Sequence, residues 1–329
     1  MLCSSNFSIC TAYSSKGTLD PVFEAFQIGP FLFRSHLLLL LLGIYLASEL
    51  FLRLAVSEGL QLTHFIRKSW IYLLAFLVGG RIFAVLVLYR VYLQDPGRFF
   101  ILWDGSFSFL GGCIGMGIAL FLLTLKQRST FLQWLDALLP AVTLGLAFDW
   151  LGRFLGNISY GKPTDSIFGV VVESMAVRYT VPIHPVQLYY AFSFFLLTLL
   201  LLRLRKRPNR RTGFVTLLGI ALSAVIIILF EFLRGDFSVT IFAKISDFLF
   251  LAVLFVSLGG IAIFEQKISE RYSFVNSLLV TAGTVAYLLA RPWISVAAVE
   301  WRFSQFLAVL AILVTVVYVV THRWKYPHL

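Results

Sequence analysis

Charge is scarce in this chain. Of 329 residues only 13% are Asp, Glu, Lys or Arg, against about 25% in ordinary soluble domains. Acidic residues are the rarer kind, 16 against 27 Lys and Arg. Cysteine is limited to Cys3, Cys10 and Cys113. Their spacing matches no paired metal-ligand pattern, so neither a metal nor another cofactor is called for. A Cys3–Cys10 disulfide and two unpaired thiols both stay open. The first thirty residues lack a basic start followed by an apolar core, so no cleaved signal peptide is expected and the first membrane helix directs insertion. No repeat of spans and no matched pair of interrupted helices is present, which argues against a transporter.

What the chain has is apolar length. It is 59% hydrophobic, with a mean hydropathy of +0.89, and runs of twenty or more apolar residues recur along it. The fold class expected is all-α, a polytopic transmembrane helical bundle. Nine spans are predicted, at 31–52, 69–92, 106–125, 131–155, 185–203, 213–233, 240–264, 273–290 and 303–321. The loop carrying Arg203, Arg205, Lys206, Arg207, Arg210 and Arg211 should be cytoplasmic. Alternation from there places the N-terminus outside and the C-terminus inside, with 15 of the 27 basic residues in inner segments. The net charge of +11 then needs no nucleic-acid partner, because anionic lipid headgroups account for it.

That topology brings scattered polar residues to the outer half of the bilayer. Arg34 and His36 begin span one, and Gly111 and Gly112 begin span three. Spans four and six run outward to Arg153 and to Glu231 and Arg234. Arg153 has Asp149 four residues before it and Arg234 has Glu231 three before it, so each has a helix-face partner within reach. Together the two arginines would suit a phosphate, which takes bidentate guanidinium contacts. Arg81, in mid-span after Gly79-Gly80, costs about 2.5–3.5 kcal/mol to insert. It must face the bundle interior, a carboxylate such as Glu49 or Asp149, or a water-filled cavity. Gly111 with Gly115, and Cys113 with Gly117, give small-residue spacing for close helix packing. His64, His322 and His328 read as solvated surface. His184 precedes Pro185 at the entry to span five, where capping and chemistry are both open.

The polar segment between spans four and five carries the most specific pattern. It runs Gly152-Arg153, Tyr160-Gly161-Lys162-Pro163-Thr164-Asp165, Gly169-Val170, then His184-Pro185-Val186-Gln187-Leu188-Tyr189. With Ile28-Gly29-Pro30 and Arg34, Gly80-Arg81, Gly111-Gly112 and Glu231-Phe232-Leu233-Arg234, in that order, it resembles the prolipoprotein diacylglyceryl transferase family over roughly residues 25–264. The resemblance implies a bacterial plasma-membrane enzyme. It would transfer the diacylglyceryl group of phosphatidylglycerol to the lipobox cysteine of a prolipoprotein, forming a thioether and releasing glycerol phosphate. Arg153 and Arg234 would stabilise the leaving phosphate. Arg81, Asn157, Gly161, His184, Gln187, Tyr189 and Glu231 would contact substrate.

The departures from the family pattern are specific. The histidine usually found before the paired glycines is Leu110 here, the glutamate usual after Gln-Leu-Tyr is Tyr190, and Ser35-His36 replaces an aromatic pair. The segment from Arg153 to Gly161 is short, so Gly156-Asn157 matches ambiguously, and an arginine usual just upstream of Glu231 is absent from Val225 to Leu229. The thiol must ionise from a free pKa of about 8.5. His36 is the histidine on the correct side that could accept its proton or orient a lipid oxygen. The alternative reading is a catalytically altered or inactive lipid-binding homologue. Residues 1–30 are expected as an extracytoplasmic segment, 31–264 as a seven-helix body with outer loop 156–184, and 265–329 as an additional two-helix segment packed on its periphery.

Overall fold

The computed structural model describes residues 25–325 except 29–30, 61, 88–91, 94–96, 98–108, 125–127, 173–176, 178, 209–210, 237–239, 265–269 and 295–297. The helices are α1 (Ser35–Ser57), α2 (Leu62–Arg67), α3 (Ser69–Val87), α4 (Phe109–Leu123), α5 (Arg128–Leu155), α6 (Val186–Arg205), α7 (Phe214–Glu231), α8 (Ile245–Phe264), α9 (Glu270–Ala290) and α10 (Phe303–Lys325). A helix occupies each of the nine predicted spans, so the all-α membrane bundle is what the sequence folds into. Among the described residues, five helices are long and apolar enough to cross a membrane, α1, α5, α6, α7 and α10, and shorter apolar stretches lie in α3, α4 and α8.

Two short antiparallel ribbons precede helices. Strand β1 (Ala25–Ile28) pairs with β2 (Phe31–Arg34), which leads into α1. Strand β3 (Thr240–Lys244) pairs with β4 (Ala298–Arg302), in a register that sets Thr240 opposite Arg302. Thus residues 240–244, expected as the start of a helix, are extended. Apolar Ile241, Phe242 and Ala243 lie just before α8, and period alone does not separate a short apolar strand from a helix.

The chain divides into two compact units, one of residues 48–141 and one of residues 1–47 with 142–329. In the 48–141 unit, α3 and α4 pack at backbone distance through their glycines. A Cβ on Gly79 would come within 2.5 Å of the Gly111 carbonyl, and one on Gly111 within 2.6 Å of the Gly79 carbonyl. The Gly111–Gly115 spacing is therefore a packing face. Cys113, expected as a small filler, is exposed instead, and nothing lies within 4 Å of a Cβ on Gly117. Ala55, Leu60, Tyr72, Ala119, Leu120, Trp134 and Ala137 form the buried core.

In the other unit, α7 packs against α6 and α10, and α10 against α8. Burial in an apolar surround demands partners for polar groups. Thr143 and Thr198 share a 2.9 Å hydrogen bond between α5 and α6. Tyr190, Phe194, Leu201 and Val186 line the buried face of α6.

Candidate active site at the arginine cluster

The carboxyl end of α5 presents Asp149, Trp150 and Arg153 within little more than one turn. Arg153 Nε donates to Asp149 Oδ2 at 2.8 Å, the i,i+4 pair that helix geometry allows. The second oxygen of the same carboxylate, Oδ1, lies 3.1 Å from His36 Nε2. One carboxylate thus bridges a histidine of α1 and an arginine of α5. Glycines make the approach possible. A Cβ on Gly152 would meet the His36 carbonyl at 3.0 Å and its ring at 3.1 Å, and one on Gly156 the His36 Cβ at 3.3 Å. Beyond α5 the chain turns through Asn157 (φ 51°) and Ser159 (φ 62°). These are left-handed conformations that Asn tolerates better than most residues. The turn brings the Ser159 hydroxyl to 3.3 Å from Arg153 Nη1.

The next residues form a small three-way backbone contact that carries Arg234 to this place. Gly161 bridges Arg234 antiparallel, with Lys162 N–H donating to the Leu233 carbonyl at 2.8 Å and Gly235 N–H to the Tyr160 carbonyl at 2.9 Å. On the other side, His184 N–H donates to the Lys162 carbonyl at 3.0 Å. No side chain fits at the crossing. A Cβ on Gly235 would stand 2.5 Å from the Gly161 oxygen, and one on Gly161 would overlap the His184 carbonyl.

Arg234 is held by two carboxylates. Its Nη1 donates to Glu231 Oε1 at 2.8 Å, while Nε and Nη2 grip Asp236 Oδ1 and Oδ2 at 3.0 and 2.5 Å. Burial alone would pull this guanidinium down. The Asp236 hydrogen bonds and the Glu231 charge outweigh it, so it sits above its ordinary value. Glu231, 2% exposed, also accepts a 2.8 Å bond from the Tyr190 hydroxyl. Tyr190 stacks on Trp150 with ring centroids 4.0 Å apart. The Trp150 ring is the common platform. The guanidinium carbons of Arg153 and Arg234 lie 4.9 and 5.7 Å from its centroid, so they are no farther apart than those two lengths end to end. Side-chain exposure is 33% for Arg153 and 14% for Arg234. Two cations beside one indole, one of them reachable from outside, can take an anion between them.

The sequence profile of the prolipoprotein diacylglyceryl transferase family matches residues 23–265. The chain belongs to that family. Among its relatives, a phosphatidylglycerol–prolipoprotein diacylglyceryl transferase of Geobacter sulfurreducens is 33% identical over 220 residues, 66% of this chain and 82% of that protein. The Pasteurella multocida protein of the same name is 34% identical over 182 residues, 54% of this chain and 66% of that protein. A Pseudoalteromonas atlantica protein, again so named, is 32% identical over 207 residues, 60% and 70% of the two chains.

In this family member the arginine cluster gathers Arg153, Arg234, Glu231, Gly161 and His36, with Asn157 buried in the turn beside them. His184 and Tyr189 form a neighbouring pair, the hydroxyl 3.5 Å from Nδ1. Gln187 is buried, and its amide donates to the Ile158 carbonyl at 3.0 Å. Asn157, Tyr160, His184 and Gln187 line a small pocket with Val170 and Ile183. Arg81 sits in the 48–141 unit, 7% exposed, with its guanidinium 5.4 Å from the Tyr92 ring centroid. The carboxylates expected to pair with it are engaged otherwise, Glu49 by Arg53 and Asp149 by His36 and Arg153. An aromatic face near a buried guanidinium was not anticipated from spacing. Leu110 lies in α4, its side chain outside the described residues, as are Cys3, Cys10, Gly29 and Pro30.

Four contributors escaped the sequence reading: Trp150, Tyr190 as a hydrogen-bond donor, Asp236 and Arg302. Asp236 could have been found two residues beyond Arg234. Trp150 lies three before Arg153, a helical neighbour. Tyr190 entered only as a departure from the family pattern. Arg302 carried no signal, since it meets the cluster through the β3–β4 register.

Proposed function

We propose that this chain transfers the diacylglyceryl group of phosphatidylglycerol to the cysteine of a prolipoprotein lipobox. The observation that carries the reading is the pair of guanidinium groups, Arg153 and Arg234, over the one Trp150 ring. In the reaction a sulfur–carbon bond forms at the glyceryl carbon and the carbon–oxygen bond to phosphate breaks. Glycerol phosphate leaves with the bonding pair, and the thiol proton goes to a base. Charge grows on the departing phosphate oxygens, and donors already in place stabilise it without reorganisation. Arg153 and Arg234 supply those donors.

His36 is the proposed base. With Nε2–H donating to Asp149, Nδ1 is left as the acceptor for the thiol proton, and the carboxylate orients the ring and steadies the imidazolium that forms. Asp149 also orders Arg153, so proton acceptor and anion holder are positioned by one carboxylate. Asn157, Gly161, His184, Gln187, Tyr189 and Glu231 are proposed to shape the lipid and peptide subsites, with Arg81 as a further contact. The chain is a membrane protein. We place it in the bacterial plasma membrane with its N-terminus outside, its C-terminus in the cytoplasm and the arginine cluster at the outer leaflet. Residues 265–329 are proposed as an addition to the family core.

The test is transfer itself. The purified chain, given phosphatidylglycerol and a lipobox peptide, should yield the thioether and an equal amount of glycerol phosphate. The residue at Leu110 favours the second reading, a lipid-binding homologue with altered chemistry. Phosphatidylglycerol binding with no thioether under any acceptor concentration would select it.

A further inference from the structure

Arg302 lies beyond the residues the family profile matches, yet its side chain enters the cluster around Arg234. The strand β4 delivers it, because Arg302 pairs with Thr240 close behind the end of α7. Its Nη1 is 3.2 Å from Asp236 Oδ1 and 3.8 Å from Glu231 Oε1. Its Nη2 donates to the carbonyls of Arg234 and Asp236 at 2.8 and 3.0 Å. Gln305 locks the approach: its Oε1 accepts from the Arg302 N–H at 3.1 Å, and its Nε2 donates to the Ile228 carbonyl at 3.3 Å.

Two consequences follow from this placement. Without Arg302, the one guanidinium of Arg234 would face two enclosed carboxylates, Glu231 at 2% exposure and Asp236 at 15%. The excess negative charge would hold Arg234 inward and repel an incoming anion, in surroundings where charge is poorly screened. With Arg302 the two carboxylates meet two guanidiniums. The second consequence is geometric, since the two carbonyl bonds tether the peptide that bears Arg234.

A purely mechanical role, tying down the C-terminal segment, is already filled by other contacts. Arg291 grips Asp247 at 2.9 Å through both Nε and Nη2, and Lys244 Nζ donates to the carbonyls of Arg291 and Ile294 at 2.8 Å. Helix α10 packs on both α7 and α8. The C-terminal segment is therefore anchored without Arg302.

We propose that Arg302 is a positioning residue for headgroup capture. By neutralising the second carboxylate beside Arg234 and fixing its backbone, it leaves Arg234 competent to take an anionic lipid headgroup. This rests on the reading of Arg234 as a phosphate ligand.

The experiment uses the full chain in phosphatidylcholine nanodiscs, with equilibrium binding of a fluorescent phosphatidylglycerol and, in parallel, transfer to a lipobox peptide. Arg302→Gln should weaken binding about ten-fold, the order of one charge-assisted contact. Arg302→Lys, which keeps the charge, should lose less. Asp236→Asn added to Arg302→Gln should restore binding to within about three-fold, because it removes the surplus carboxylate. A merely structural arginine gives no such rescue. Wild-type binding by Arg302→Gln, or a double variant no better than the single one, overturns the proposal while leaving the transferase reading intact. A wild-type chain that binds phosphatidylglycerol no better than phosphatidylcholine sinks both. Misfolding of Arg302→Gln supports the proposal if Asp236→Asn restores folding and binding together, and overturns it if not.

Discussion

Trp150 offers the sharpest test of the anion-site reading, because both arginines share it. Its ring is 9% exposed and stacked on Tyr190, with guanidiniums 4.9 and 5.7 Å from the centroid. A cation–π contact is worth about 0.5–1 kcal/mol when exposed and about 2 when desolvated. Arg153, a third exposed, belongs near the lower figure, and Arg234, mostly enclosed, nearer the upper. Removing the aromatic face therefore loosens both guanidiniums by roughly 2 kcal/mol in total. At about 1.4 kcal/mol per decade this corresponds to roughly a thirty-fold loss in kcat/KM.

The comparison is Trp150→Leu against Trp150→Phe. Phenylalanine keeps an aromatic face for both the arginines and Tyr190, so its loss should stay within about five-fold, whereas leucine removes the face altogether. Initial rates of transfer from phosphatidylglycerol to a lipobox peptide give the ratio, and thermal melting of each purified variant corrects for folded fraction. If the two substitutions lower the rate equally, the ring only fills space, and the platform argument fails.

The remaining predictions concern the groups around that platform. Arg234→Lys keeps a charge but cannot hold Glu231 and Asp236 together, so transfer should fall about a hundred-fold or more with the fold retained; a near-normal rate would remove Arg234 from the reaction. His36→Phe in a folded protein should abolish most turnover while phosphatidylglycerol binding survives, and full turnover would leave His36 without a role. Asp149→Asn should hurt both functions at once, since it serves His36 and Arg153, and unequal effects on binding and turnover would show the bridge to be unimportant. Gly235→Ala should lower the melting temperature by several degrees, because its Cβ would meet backbone at 2.5 Å. Gly117→Ala, with nothing within 4 Å, should leave the melting temperature unchanged or raise it, and equal behaviour of the two glycines would contradict the crossing geometry.

What could be read in advance was local. Helical spacing puts Asp149 beside Arg153 and Glu231 beside Arg234 whatever the tertiary fold, and both pairs are present. The nine apolar runs declared their helices for the same reason, since a run of that length has few other ways to satisfy its backbone in lipid. Reading failed where the partner lay far along the chain. The extended segment 240–244 was lost against the apolar helix it adjoins, and Arg302 was lost with it, because the contact that the strand pairing gives Arg302 with Asp236 spans 66 residues of sequence.

That last failure bears on how the cluster works. A sequence-local view leaves Arg234 between two carboxylates, Glu231 and Asp236, a cation already committed to its own chain and poorly disposed to an anion. The distant Arg302 corrects the balance, and it arrives on a segment outside the matched family core. If charge balance governs headgroup capture, then cutting the chain before β4 should reproduce the binding defect of Arg302→Gln, and Asp236→Asn should relieve both defects. Relief of the point variant but not of the truncated chain would mean that α10 contributes through packing on α7 as well as through its arginine.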